Sequence, residues 1–126
     1  MLIIRYTAPS ELDLEGSCED LQRVVAAISS MTPSSSALVF DADAEHDASP
    51  YERCLAGLKI RASDGPTRVS VANDVVVVDG SMENIDRFAS FCGITRAGNH
   101  AHYEYFTGND FIAADSIPLV ISARRE

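Results

Sequence analysis

Hydrophobic residues along this chain recur with two periods. Apolar side chains alternate with polar ones at Leu58, Ile60 and Ala62 and at Val69 and Val71, and they run together at Val75–Val78. A period of two, or a short apolar run closed by a turn, predicts strands. Elsewhere the spacing is helical. Leu21, Val24, Val25 and Ile28 stand at i, i+3, i+4 and i+7, and Ile85, Phe88, Ala89 and Cys92 repeat that spacing. Each set forms one stripe that a helix buries. Ser17-Cys18-Glu19-Asp20 fits a capping box at the start of the first helix, read as Ser17–Ser30. Ser81 caps the second helix and Gly93 stops it.

In chain order, Leu2–Thr7 reads as a strand ended by Ala8-Pro9-Ser10, and Glu11–Glu15 as an irregular acidic segment. Ala37–Phe40 is a short strand. Gly57 to Asp79 reads as an antiparallel meander, with turns at Asp64-Gly65 and Asn73-Asp74. The second turn sets Val71 opposite Val76 and Val69 opposite Val78, and makes the valine run a central strand. Lys59, Arg61 and Arg68 then share one outer face. His100–Phe106 and Ile117–Ser122 complete the strands, with Tyr103 and Tyr105 turned toward the helices. No internal repeat is read. The expectation is an α+β fold over residues 1–126: a single, mostly antiparallel sheet with both helices packed on one face.

Charge narrows the partners. Ten Lys and Arg against nineteen Asp and Glu leave a net charge of −9. Such a surface repels phosphates and disfavours nucleic acid, while it suits a basic protein. Cys18, Cys54 and Cys92 form no CxxC pair and no even framework, which points to a reducing, cytoplasmic setting. No apolar stretch approaches a membrane span, and the start of the chain lacks the features of a signal peptide.

Candidate chemistry gathers in two places. Asp41, Asp43, Glu45, Asp47, Ser49 and Glu52 occupy the ligand offsets of a calcium loop. His46 stands where that loop needs glycine for its sharp turn, and Pro50 interrupts the second half, so the segment reads as a solvated acidic loop. His100, His102 and Glu104 fall on one face of their strand, where two imidazoles and a carboxylate could hold zinc. The alternative reading is therefore a metal-binding module or a metal-dependent enzyme centred on these three residues. Cys92 sits on the buried stripe of the second helix and reads as a small hydrophobe rather than a nucleophile. The chain contains no phosphate loop and no nucleophile elbow, so it reads as a binding protein without a cofactor and not as an enzyme.

Gly98-Asn99-His100-Ala101-His102-Tyr103-Glu104-Tyr105, followed by Asp115-Ser116-Ile117-Pro118-Leu119-Val120-Ile121, resembles the C-terminal part of the immunity protein 32 family. The resemblance covers roughly the last fifty residues, from the valine run onward. It implies a small bacterial protein of a polymorphic toxin system that binds and neutralises a cognate toxin. It carries over no catalytic residue. Together with the charge, it makes the partner a basic toxin, such as a nuclease, and makes His100, His102, Glu104, Asp41, Asp43, Glu45 and Asp47 the candidate contacts.

Overall fold

The computed structural model describes residues 1–125. Strands and helices follow in the order β1 (Ile3–Thr7), β2 (Glu11–Gly16), α1 (Cys18–Ser29), β3 (Leu38–Asp41), β4 (Arg53–Leu55), β5 (Gly57–Ala62), β6 (Arg68–Ala72), β7 (Val75–Gly80), α2 (Met82–Cys92), β8 (His100–Tyr103) and β9 (Leu119–Ala123). The fold is α+β, but the strands form two sheets rather than one. Five strands lie in the order β4-β1-β2-β9-β8, and four in the order β3-β5-β7-β6.

Two features of the chain separate observation from expectation. Glu11–Gly16 is a strand, not an irregular segment. Its Glu-Leu-Asp-Leu-Glu alternation buries Leu12 and Leu14 on one side and holds the carboxylates on the other. The second difference is at Asp64-Gly65, which is no hairpin. β5 runs parallel to β7, so β7 lies between β5 and β6. The connection from β5 to β6 crosses the end of β7, where Ser63 N–H donates to Gly80 O and Ser81 N–H to Gly65 O. The valine strand is central as expected, with Val71 opposite Val76 and Val69 opposite Val78.

The register reveals a repeated plan that the sequence pattern conceals. Glu15-Gly16-Ser17-Cys18-Glu19 closes β2 and opens α1, and Asp79-Gly80-Ser81-Met82-Glu83 closes β7 and opens α2. Each half is a hairpin, a capped helix and a second antiparallel pair, β3 with β5 and β8 with β9; the first half adds the short strand β4, which pairs with β1. Leu58-Lys59-Ile60-Arg61-Ala62 runs parallel to β7 just as Leu119-Val120-Ile121-Ser122-Ala123 runs parallel to β2. The halves exchange partners: β1 and β2 join β8 and β9, while β6 and β7 join β3 and β5. The two glycines have one job. A Cβ on Gly80 would stand 2.9 Å from Thr67 Cα, and one on Gly16 3.0 Å from Leu2 Cδ2, each against the residue that leads into its own hairpin.

The helices pack against each other and share one hydrophobic cluster with the inward faces of both sheets. Leu21, Val24 and Ile28 of α1 and Ile85, Phe88 and Cys92 of α2 are buried in it. Tyr103 of β8 is wedged edge-on between Phe88 and Phe91, with ring centroids 5.0 and 4.9 Å away. Burial pushes the Cys92 thiol up to about 12, so it stays protonated and packs as a hydrophobe. Cys18 and Cys54 are also free thiols. Among the described residues, no helix is long and apolar enough to cross a membrane.

The caps of the two helices differ in strength. At α1 the box closes: Asp20 N–H donates to Ser17 Oγ at 3.0 Å, and Ser17 N–H to Asp20 Oδ2 at 3.1 Å. The terminal amine of Met1 adds an ion pair to Asp20 at 3.1 Å. Burial alone would raise the Asp20 carboxyl, but these partners outweigh it and hold the group below its ordinary range. At α2, Ser81 Oγ accepts from Asn84 N–H, while the Asn84 amide turns away to Gly65 O.

Candidate functional site

β2 buries Leu12 and Leu14, and β9 buries Leu119 and Ile121, so both strands turn their alternate residues outward. Leu119 registers with Leu12 and Ile121 with Leu14, which keeps the two strands in phase. The outward residues of the five-stranded sheet therefore form cross-strand rows. One row runs Cys54, Arg5, Asp13, Val120, His102 across all five strands. The next runs Ile3, Glu15, Ser122, His100. Glu11 lies beside Thr7 at the far end of β2.

An ion network braces the middle of this face. Arg5 Nη1 lies 3.0 Å from Glu15 Oε1 and 3.5 Å from Asp13 Oδ2. Ser122 Oγ donates to Asp13 Oδ1 at 3.0 Å, and Arg124 Nε to Glu15 Oε2 at 3.1 Å. Burial pushes the Asp13 carboxyl above its ordinary range, against the opposing pull of Ser122 and Arg5. Glu11, by contrast, has no ion-pair or hydrogen-bond partner for its carboxylate among the described residues. It borders a shallow groove lined by Ser10, Glu11, Leu12, Tyr51, Pro118 and Val120. The Tyr51 hydroxyl is held above its usual range, first by burial and then by the negative charges of Asp13 and Glu11.

The structure places the sequence-predicted residues on opposite borders of this face. His100 and His102 are exposed on β8, with their rings edge to face and centroids 5.1 Å apart. Glu104 is exposed but lies beyond the end of β8, which stops at Tyr103 and does not reach Phe106. Tyr103 pairs with Leu119, and the next residue on that side is Pro118, which has no N–H to continue the ladder. Tyr105, expected inside with Tyr103, is accordingly 39% exposed. Asp41 is the last residue of β3 and lies in the four-stranded sheet, paired with Gly57, while Asp43, Glu45 and Asp47 belong to the connection between β3 and β4, beyond the opposite edge of the five-stranded sheet. That connection folds toward the face: Arg5 Nε donates to Asp47 O, and Cys54 Sγ to His46 O.

Among the described residues, neither group brings three metal ligands together. Asp43 accepts from Glu45 N–H and Asp47 from Ser49 N–H, so both carboxylates hold turns of their own loop. Among the described residues, no three His, Cys, Asp or Glu side chains converge where they could hold an ion. The width of the sheet separates the acidic loop from the histidines, a distance of roughly 19 Å at about 4.8 Å per strand.

The outward face of the four-stranded sheet has different chemistry. Its rows are Val39, Lys59, Val77, Ser70 and, beside them, Arg61, Asp79, Arg68. Lys59, Arg61 and Arg68 share this face as expected. Arg61 pairs with Asp79 and Arg68 with Asp115. Sequence reasoning missed Glu11, Asp13, Glu15 and Tyr51 on the five-stranded face. The strict alternation of Glu11 to Glu15 was the signal that could have found the first three.

A scan against family models finds no match for this chain, and searches of curated proteins and of solved structures find none either.

Proposed function

We propose that this chain is an immunity-type protein that binds a basic toxin domain through the outer face of the five-stranded sheet and blocks it by occlusion. The observation that carries the reading is the division of charge between the two outward faces. One presents Glu11, Asp13 and Glu15 beside an acidic loop, with Arg5 and Arg124 offsetting Asp13 and Glu15 and leaving Glu11 and the loop unbalanced. Its counterpart presents Lys59, Arg61 and Arg68, with Arg61 and Arg68 paired to Asp79 and Asp115 and Lys59 left over. Nucleic-acid-cleaving toxins carry basic surfaces because their substrate is a polyanion, and an acidic face competes for that surface. The resemblance of Gly98–Tyr105 and Asp115–Ile121 to the immunity protein 32 family supports the same reading.

The test is co-expression with the toxin domain encoded beside this gene, scored as cell survival, together with association kinetics on the purified pair. The chain should protect, and association should slow as salt rises. Replacing Asp41, Asp43, Glu45 and Asp47 by Asn or Gln should lower the association rate at low salt and flatten its salt dependence. Asn preserves the oxygens that accept the Glu45 and Ser49 amides, so the loop keeps its turns. Absence of both binding and protection would remove the immunity reading. A rate indifferent to salt and to these substitutions would remove the acidic loop from it.

A further inference from the structure

The shallow groove on the five-stranded face combines three features that point to one kind of occupant. Among its lining residues, Tyr51 supplies an aromatic ring, Val120 and Pro118 apolar surface, and Glu11 an exposed carboxylate without a partner among the described residues. Asp13, the neighbouring carboxylate, is engaged by Arg5 and Ser122, and Arg5 offsets its charge, so Glu11 is the carboxylate the groove offers. The repeated plan provides an internal comparison. At the places that Glu11 and Asp13 occupy on β2, β7 carries Val75 and Val77, and Lys59 stands where β9 has Val120. The same backbone arrangement therefore lacks this combination on the other sheet.

The geometry points to the groove as a socket for an arginine side chain of the protein partner, its guanidinium lying on Tyr51 and forked onto Glu11. This inference rests on the reading of the five-stranded face as protein-binding and names the group it takes. A guanidinium suits the site better than an ammonium, because it is planar, stacks on aromatic rings and matches a carboxylate with two parallel N–H donors. Its aliphatic stem has Val120 and Pro118 to cover.

The experiment is an amide-resolved NMR titration of the full chain with three blocked tripeptides, glycine flanking arginine, lysine or citrulline. The arginine peptide should give saturable shifts at Glu11, Tyr51 and Val120. The citrulline peptide, which is isosteric but uncharged, should give none, and the lysine peptide should bind about threefold or more weakly. Glu11→Gln, a change at an exposed side chain, should weaken arginine binding by about threefold, and Tyr51→Ala by a similar factor. Spectra of both variants away from the groove should match the parent. Shifts absent from these three amides overturn the inference, as do equal binding of citrulline or lysine and indifference to Glu11→Gln. Protection of cells without arginine binding overturns the socket alone. Arginine binding by a chain that fails to protect supports the socket and counts against the toxin reading.

Discussion

On the outer face of the five-stranded sheet, β2 presents Glu11, Asp13 and Glu15; at the same places on the four-stranded sheet, β7 presents Val75, Val77 and Asp79. Turned inward, the same strands agree. Leu12 answers to Val76, Leu14 to Val78, and on the partner strands Leu119 to Leu58 and Ile121 to Ile60. Burial constrains one side of each strand and leaves the other free, since inward residues must fill a shared core while outward ones meet solvent or a partner. The two faces therefore differ in chemistry on one framework. What distinguishes them is a property of the outward residues and not of the fold.

The largest expected effect tests the inward agreement. Phe88 and Val24 occupy the same place on α2 and α1, but Phe88 is larger and holds Tyr103 edge-on. Phe88→Ala should cost about 3–5 kcal/mol in chemical denaturation, and Val24→Ala clearly less. Equal losses would mean that the two helices do not share the core in the way described.

A smaller effect separates the two caps. Asp20→Asn should cost about 1 kcal/mol at neutral pH, because it weakens both the box and the ion pair to the terminal amine. The folded Asp20 carboxyl lies below its ordinary value, so its contribution is present above the ordinary carboxylate range. That contribution is lost as pH falls from the ordinary range through the depressed folded value. The Asn variant should therefore show a shallower loss of stability in acid than the parent. Ser81→Ala should also cost about 1 kcal/mol, but without that added acid dependence, since Asn84 stands where Asp20 does. Identical acid profiles for parent and Asp20→Asn would overturn the cap assignment.

These features are unequally legible in the sequence. The helical stripes, both serine caps and the Val69–Val78 register can be read directly, because each depends on spacing within a few residues. The two-sheet arrangement depends on long-range choices that local patterns do not encode. Nothing within Asp64-Gly65-Pro66 says that β5 will pair with β7 instead of β6. The repeat is faint because its identical residues are few, Gly-Ser-x-Glu at the helix starts and Leu-x-Ile-x-Ala in β5 and β9, while outward positions differ freely. Of the candidate site, the histidine border and the acidic loop are visible as unusual clusters. The strand between them is legible only through its strict charged–leucine alternation, which its acidic composition and the preceding Ala8-Pro9-Ser10 turn make easy to read as a loop.

The smallest expected change in stability belongs to the histidine border. His102 is exposed and forms no hydrogen bond to the other described residues through its ring, so His102→Ala should shift stability by less than about 0.5 kcal/mol. Under the function proposed above, the same variant should bind the toxin domain less tightly. A large fall in melting temperature would instead mean that the residue supports the fold.

Under the function proposed above, the most direct test of the difference between the faces is the affinity of a cognate toxin domain for two variants. One changes the five-stranded face, with Glu11→Gln and His102→Ala combined; the other changes its counterpart, with Lys59→Gln and Val39→Ser combined. All four side chains point outward, and Val39 is 67% exposed, so both variants should fold as the parent does. The first variant should lose affinity by about tenfold or more, and the second should keep the parent value. An unchanged affinity for the first, with a loss for the second, would contradict the proposed roles of the two faces.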